Sequence, residues 1–137
     1  MNVLQESFNN FDVLAFPCNQ FGQQEPGANG EEINNGITHV RPGKGFEPSF
    51  TMFKKIEVNG NKEHPLYTYL KTYCPSTRQN FADTNRLFYS PLRNSDVRWN
   101  WEKFLISKSG KPFIRYDPST KPQDIRNDIL FLLQQKS

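Results

Sequence analysis

The chain has 137 residues, enough for one compact domain and too short for two of ordinary size. Its formal charge of +3 is mild and not gathered into the concentrated basic field that nucleic-acid binding requires; it suits small anionic substrates. No stretch approaches the ~18 consecutive apolar residues of a membrane-spanning helix, so neither a nucleic acid nor a membrane is expected as a partner. Met1 to Phe8 reads as the tail of an amphipathic helix, with Val3, Leu4 and Phe8 on one side. Phe11 to Phe16 is a short apolar run stopped by Pro17, the pattern of a buried central strand. Such a parallel strand needs a partner in the sheet, which this reading places ahead of Met1.

Gly22 to Gly30 is loop, and Glu31 to Val40 a short helix weakened by Gly36. Arg41-Pro-Gly-Lys-Gly-Phe46 is irregular, and Val58-Asn-Gly-Asn61 is a turn centred on Asn59-Gly60. His64 to Tyr73 is helical, with Leu66, Tyr69, Leu70 and Tyr73 on one stripe. Pro75 to Val97 lacks a period and reads as a long excursion. Lys103–Ile106 and Lys111–Tyr116 form a hairpin across Ser109-Gly110. The last helix is expected to start at Thr120 with a capping box to Gln123, burying Ile125, Ile129, Leu132 and Leu133. The two cysteines, Cys18 and Cys74, form no CxxC pair, and the two histidines, His39 and His64, lie too far apart to suggest a zinc site.

Two segments carry chemistry. Phe16-Pro-Cys-Asn-Gln-Phe-Gly-Gln-Gln-Glu-Pro26 is a loop at the carboxyl end of a strand, where α/β proteins place ligands, though by composition alone it is a polar surface loop. Asp96-Val-Arg-Trp-Asn-Trp-Glu-Lys-Phe104 sets two tryptophans around one asparagine, by composition alone a core aromatic cluster. Together the segments resemble the glutathione peroxidases, which carry FPCNQFGxQE after a sheet strand and Trp-Asn-Phe/Trp-Glu-Lys-Phe before a hairpin. Tyr69-Leu-Lys71, Arg86-Leu-Phe88 and the closing Asp-Ile extend the resemblance over essentially the whole chain.

The resemblance implies an α/β, thioredoxin-like fold: a single domain over residues 1–137, with a central mixed sheet flanked by helices and lacking its amino-terminal strands. It implies reduction of hydrogen peroxide and organic hydroperoxides by glutathione, with no metal and no bound cofactor. The family's catalytic glutamine falls on Gln24, its tryptophan on Trp99 and its asparagine on Asn100. These are hydrogen-bond donors that do not titrate near neutral pH, suited to holding a reactive selenolate or thiolate. Arg41 and Arg115 match positions that the family uses around glutathione, whose carboxylates guanidiniums recognise well. Cys18 matches a second, structural cysteine of the family.

The peroxidatic selenocysteine or cysteine belongs to the stretch Asn-Val-Ala-Ser-Tyr-X-Gly, which does not occur in these 137 residues. Met1-Asn-Val-Leu-Gln5 resembles a segment that lies a short way beyond it. The expectation is therefore that the coding sequence extends upstream through an in-frame UGA, and that the chain by itself is inactive. Tyr73-Cys-Pro75 and Asn85-Arg-Leu-Phe-Tyr89 resemble the secreted plasma-type branch, so an extracellular location is expected; the opening, with no signal-peptide pattern, read literally gives a cytoplasmic one. Arg41-Pro-Gly-Lys-Gly-Phe-Glu-Pro48 resembles a loop of the tetrameric branch and implies a homotetramer. A rival reading from another class is a non-catalytic fragment or binding module in which Trp99, Trp101 and the tyrosines stack on a partner.

Overall fold

The computed structural model describes residues 1–136. Four helices and four short strands follow one another: α1 (Asn2–Ser7), β1 (Leu14–Ala15), α2 (Gly30–His39), β2 (Thr51–Met52), α3 (Pro65–Tyr73), β3 (Lys103–Ile106), β4 (Pro112–Tyr116) and α4 (Arg126–Gln134). The strands form a parallel pair, β1–β2, and an antiparallel hairpin, β3–β4. β2 was not marked by the sequence pattern. It supplies the parallel partner that β1 requires, with Leu14 opposite Thr51. Backbone bonds continue the pairing on both sides, from Thr51 N to Val13 O (3.2 Å), Phe53 N to Ala15 O (2.8 Å) and Ile56 N to Pro17 O (3.0 Å). β1 is not buried on both faces as expected: Val13 is buried, but Leu14 is 55% exposed.

Local chemistry explains the helix ends. Asn29 Oδ1 accepts from Glu32 N (3.0 Å) while Glu32 Oε2 accepts from Ala28 N (2.7 Å), which quiets the first turn of α2 from both sides. Pro65 occupies the first turn of α3, where its missing N–H costs nothing, and His64 Nδ1 caps Leu66 N at 3.1 Å. The capping box expected at Thr120 is absent. A 3₁₀ turn at Pro122–Ile125 leads into α4 instead, and the Thr120 carbonyl is taken by Lys103 Nζ at 2.7 Å. The stripe on α3 is also corrected. Leu70 is buried, but Tyr69 and Tyr73 pack edge to face on the outside, and Lys71 points inward.

The apolar residues collect in two clusters. Leu4, Phe8, Leu105, Ile125 and Ile129 join α1, β3 and α4, with Leu132 and Leu133 packed against them as their spacing predicts. Phe21, Val58 and Val97 join three loops, with Trp99, Tyr89 and Leu87 around them. This second cluster lies under the segments that the sequence singles out.

Candidate functional site

The loop after β1 is shaped by its own amides. Asn19 Oδ1 accepts from Glu25 N (3.0 Å) and closes the loop on itself. Gly22 adopts φ +65° and Gln23 φ +50°, so the chain doubles back through two left-handed residues and brings Gln24 to the surface. Gly22 N donates to Arg86 O at 2.7 Å and Phe88 N to Gln20 O at 2.9 Å, tying the loop to the distant Phe21–Leu87 bridge.

Below the surface, Gln20 is 5% exposed and acts as a staple. Its Nε2 donates to Asn59 O (3.0 Å), and its Oε1 accepts from Val58 N (2.9 Å) and Asn59 N (3.1 Å). Asn59, 1% exposed, passes the connection on: its Nδ2 donates to Val97 O (2.8 Å) and its Oδ1 accepts from Val97 N (2.9 Å) and Lys71 Nζ (2.7 Å). Two buried amides therefore link the loop that carries Gln24 to the segment that carries Trp99. Lys71 is neutralised within the same network by Glu63 and by Asp96 at 4.0 Å, and burial lowers its pKa. These roles of Gln20, Asn59 and Lys71 escaped the sequence reading. The only available signal was an Asn-Gly turn dense in amides.

Gln24, Trp99 and Asn100 meet across this bridge. Asn100 Nδ2 donates to Gln24 Oε1 (2.9 Å) and to Phe21 O (3.3 Å). That bond occupies the acceptor of Gln24 and leaves its NH₂ aimed at no acceptor among the described residues. The Trp99 ring lies 5.7 Å from that of Phe21, half-buried. A Cβ at Gly22 would stand 3.4 Å from Trp99 Cη2, 3.5 Å from Gln24 Cγ and 3.2 Å from Arg86 Nη2, so the glycine keeps open a gap on which all three side chains border. Gln24 is exposed and Trp99 and Asn100 are half-buried, and the clefts lined by residues 78–82 and by residues 30–34 and 52–54 lie elsewhere. The arrangement presents uncharged donors to an anion or an oxygen atom, with no titrating group among the three.

The two tryptophans part company. Trp101 takes φ +68°, unusual for a bulky side chain, and is 70% exposed while Trp99 turns inward. They form no common stacking platform. Glu102 braces the turn, accepting from Arg98 N (3.0 Å) through Oε2 and from Arg115 Nε through Oε1.

The two arginines expected around glutathione have different fates. Arg41 is exposed beyond the end of α2 and makes no side-chain bond among the described residues. Arg115 is 7% exposed, and its guanidinium is spent inside the protein, on Glu102, Cys74 O (3.1 Å), Ser95 O (3.1 Å) and Asp96 O (3.0 Å), with Phe104 beneath it. Arg115, expected around the thiol substrate, is placed as an internal brace. Cys18 is half-buried and its thiol faces Gln20 Oε1 at 3.5 Å; Cys74 is buried, and burial pushes both thiols up.

Comparison with known proteins accounts for this combination. The family model for glutathione peroxidase matches residues 1–71. Human glutathione peroxidase 6 is 46% identical over 98% of this chain and 62% of its own length. Glutathione peroxidase 3 of Sapajus apella is 45% identical over 100% of this chain and 61% of its own, and that of Rattus norvegicus is 44% identical over the same shares. The chain thus spans about three fifths of the length of these curated relatives. The crystal structure of Trgpx in apo form superposes with a TM-score of 0.64 at 29% identity, covering 98% of this chain and 66% of that one. That of T. cruzi GPX1 gives 0.64 at 30% identity over 96% and 67%. The fold is therefore the thioredoxin-like α/β fold of these enzymes, and the chain belongs to the glutathione peroxidase family.

Proposed function

We propose that the protein reduces hydroperoxides with glutathione, and that Gln24, Trp99 and Asn100 serve the peroxidatic residue. The observation that carries this reading is the Asn100–Gln24 bond between segments 76 positions apart, beside the Trp99 ring. In this chemistry a selenolate or thiolate attacks the terminal peroxide oxygen. The O–O bond breaks, the alkoxide or hydroxide leaves as alcohol or water after taking a proton, and the attacking residue becomes a selenenic or sulfenic acid. One glutathione thiol displaces water to give a mixed selenosulfide or disulfide, and a second releases the anion and glutathione disulfide. The Gln24 NH₂ and Trp99 N–H are suited to stabilise the anion before attack and the leaving oxygen during it.

Neither thiol of the chain suits the peroxidatic part, since Cys18 and Cys74 are both held toward the protonated form by burial. The proposal therefore concerns the protein bearing the family's peroxidatic stretch, whether with selenocysteine or cysteine. Similarity to glutathione peroxidases 3 and 6 supports the plasma-type branch, and with it an extracellular homotetramer. Phe46, 37% exposed just after the left-handed Gly45, is an apolar side chain that a neighbouring subunit would cover.

The test is glutathione-dependent peroxide turnover by the chain joined to that stretch. Gln24→Ala and Trp99→Phe should each lower kcat by on the order of 10². Wild-type turnover in both variants, or no turnover in the parent, refutes the reading.

A further inference from the structure

With Arg115 committed to the interior, the site region retains a second cation, Arg86. Arg86 ends the 3₁₀ turn at Thr84–Arg86, which Asp83 caps by accepting from Asn85 N at 3.0 Å. Its backbone carbonyl is pinned by Gly22 N, so its position relative to the Gln24 loop is fixed. Its guanidinium carbon lies 4.7 Å from the centre of the Trp99 ring, and its Nη2 borders the gap that Gly22 leaves open. Cation–π attraction holds the charge on the indole without using its N–H donors. Arg86 is exposed and makes no ion pair and no side-chain hydrogen bond among the described residues.

An arginine so placed is a fork of donors with nothing in it, at the edge of the proposed site. We propose that Arg86 binds a carboxylate of the thiol co-substrate and sets the preference for an anionic thiol. This inference rests on the proposed peroxidase reading. It differs from the assignment of Arg115, because the guanidinium concerned is solvent-facing and uncommitted. A bidentate contact to a carboxylate would place the substrate's own chain across Trp99, with its sulfur free to approach the gap beside Gln24.

S-methylglutathione, which cannot react, is titrated into the 137-residue chain with Trp101→Phe present, so that fluorescence reports Trp99 alone. Binding should weaken on the order of tenfold in Arg86→Gln, and only partly in Arg86→Lys, which keeps the charge but loses the fork. The diethyl ester of the same ligand should bind weakly, and equally to both forms. In turnover by the protein with its peroxidatic stretch, Arg86→Glu should shift preference from glutathione toward cysteamine, a cationic thiol, which a purely structural role would not do. Equal affinity of the parent and Arg86→Gln for S-methylglutathione, or an ester that binds as tightly as the acid, overturns the inference. Arg86-dependent binding without peroxide turnover defeats the peroxidase reading and the co-substrate role with it, and leaves only a carboxylate site at Arg86. Turnover with an unaltered thiol preference in Arg86→Glu defeats this one alone.

Discussion

The cluster between α1, β3 and α4 and the cluster beneath the candidate site are held together by different means. The first is a set of aliphatic and aromatic side chains on regular elements, stabilised by the area they remove from water. The second joins loops, which have no helix or strand ladder to fix their backbone. Directional bonds do that instead: Gln20 and Asn59 satisfy backbone groups of Val58, Asn59 and Val97, and Glu102 and Arg115 lock the segment that follows Trp99. An apolar cluster tolerates a small slide, whereas a network of paired donors and acceptors has one satisfying arrangement. The site sits on the half of the molecule whose geometry is set that way.

The most severe way to break the comparison is to remove one partner of a buried pair. The Arg115 and Glu102 side chains are 2% and 1% exposed, so Arg115→Leu leaves a carboxylate in the interior and should cost about 3–5 kcal/mol in urea unfolding. A loss no greater than that of a surface arginine would show the brace to be incidental. In the apolar cluster, Ile129→Ala should cost about 3 kcal/mol by leaving a cavity, yet leave the emission of Trp99 in place. Gln20→Ala should cost about 2 kcal/mol, by orphaning two buried N–H groups, and should shift that emission. If the spectral responses of these two variants are reversed, the division of labour is wrong.

The smallest effect is a pH dependence outside both clusters. Arg78 donates to Asp117 through Nε and Nη2 and holds that carboxyl below the usual carboxylate range. Because the folded-state pKa is the lower one, the stabilisation is present above the unfolded value near ~4 and is lost as pH falls below it. With the Arg78 side chain 42% exposed, solvent screening keeps the contribution below about 1 kcal/mol. Asp117→Asn should flatten acid unfolding in that window, and an unchanged profile would assign the acid response elsewhere.

The same contrast explains what could be read from the sequence. The hairpin, α2, α3 and the Ile125–Ile129 face of α4 are periodic or punctuated by Gly and Pro, so local pattern finds them. Gln24, Trp99 and Asn100 were found through two long motifs, and their meeting depended on no local rule. β2 escaped because two paired residues leave no period. The burial of Arg115, Lys71 and Asn59 leaves no local pattern for one reason: a polar side chain is buried only where distant partners receive it. Asn59 meets Val97 across 38 positions, and Arg115 meets Cys74 across 41. Composition therefore assigns such residues to the surface.

The Gln20–Asn59 staple also bears on how the molecule should exchange its amide protons with solvent. The N–H groups of Val58, Asn59 and Val97 are buried and donate to side-chain oxygens, in stretches that belong to no helix or strand. Opening any of them requires the amide relay to come apart, so deuterium should enter there later than at the exposed ends of α1 or in the short β1–β2 pair. By its dichroism this half of the protein would pass for coil, while its slowest protons would mark it as the rigid half.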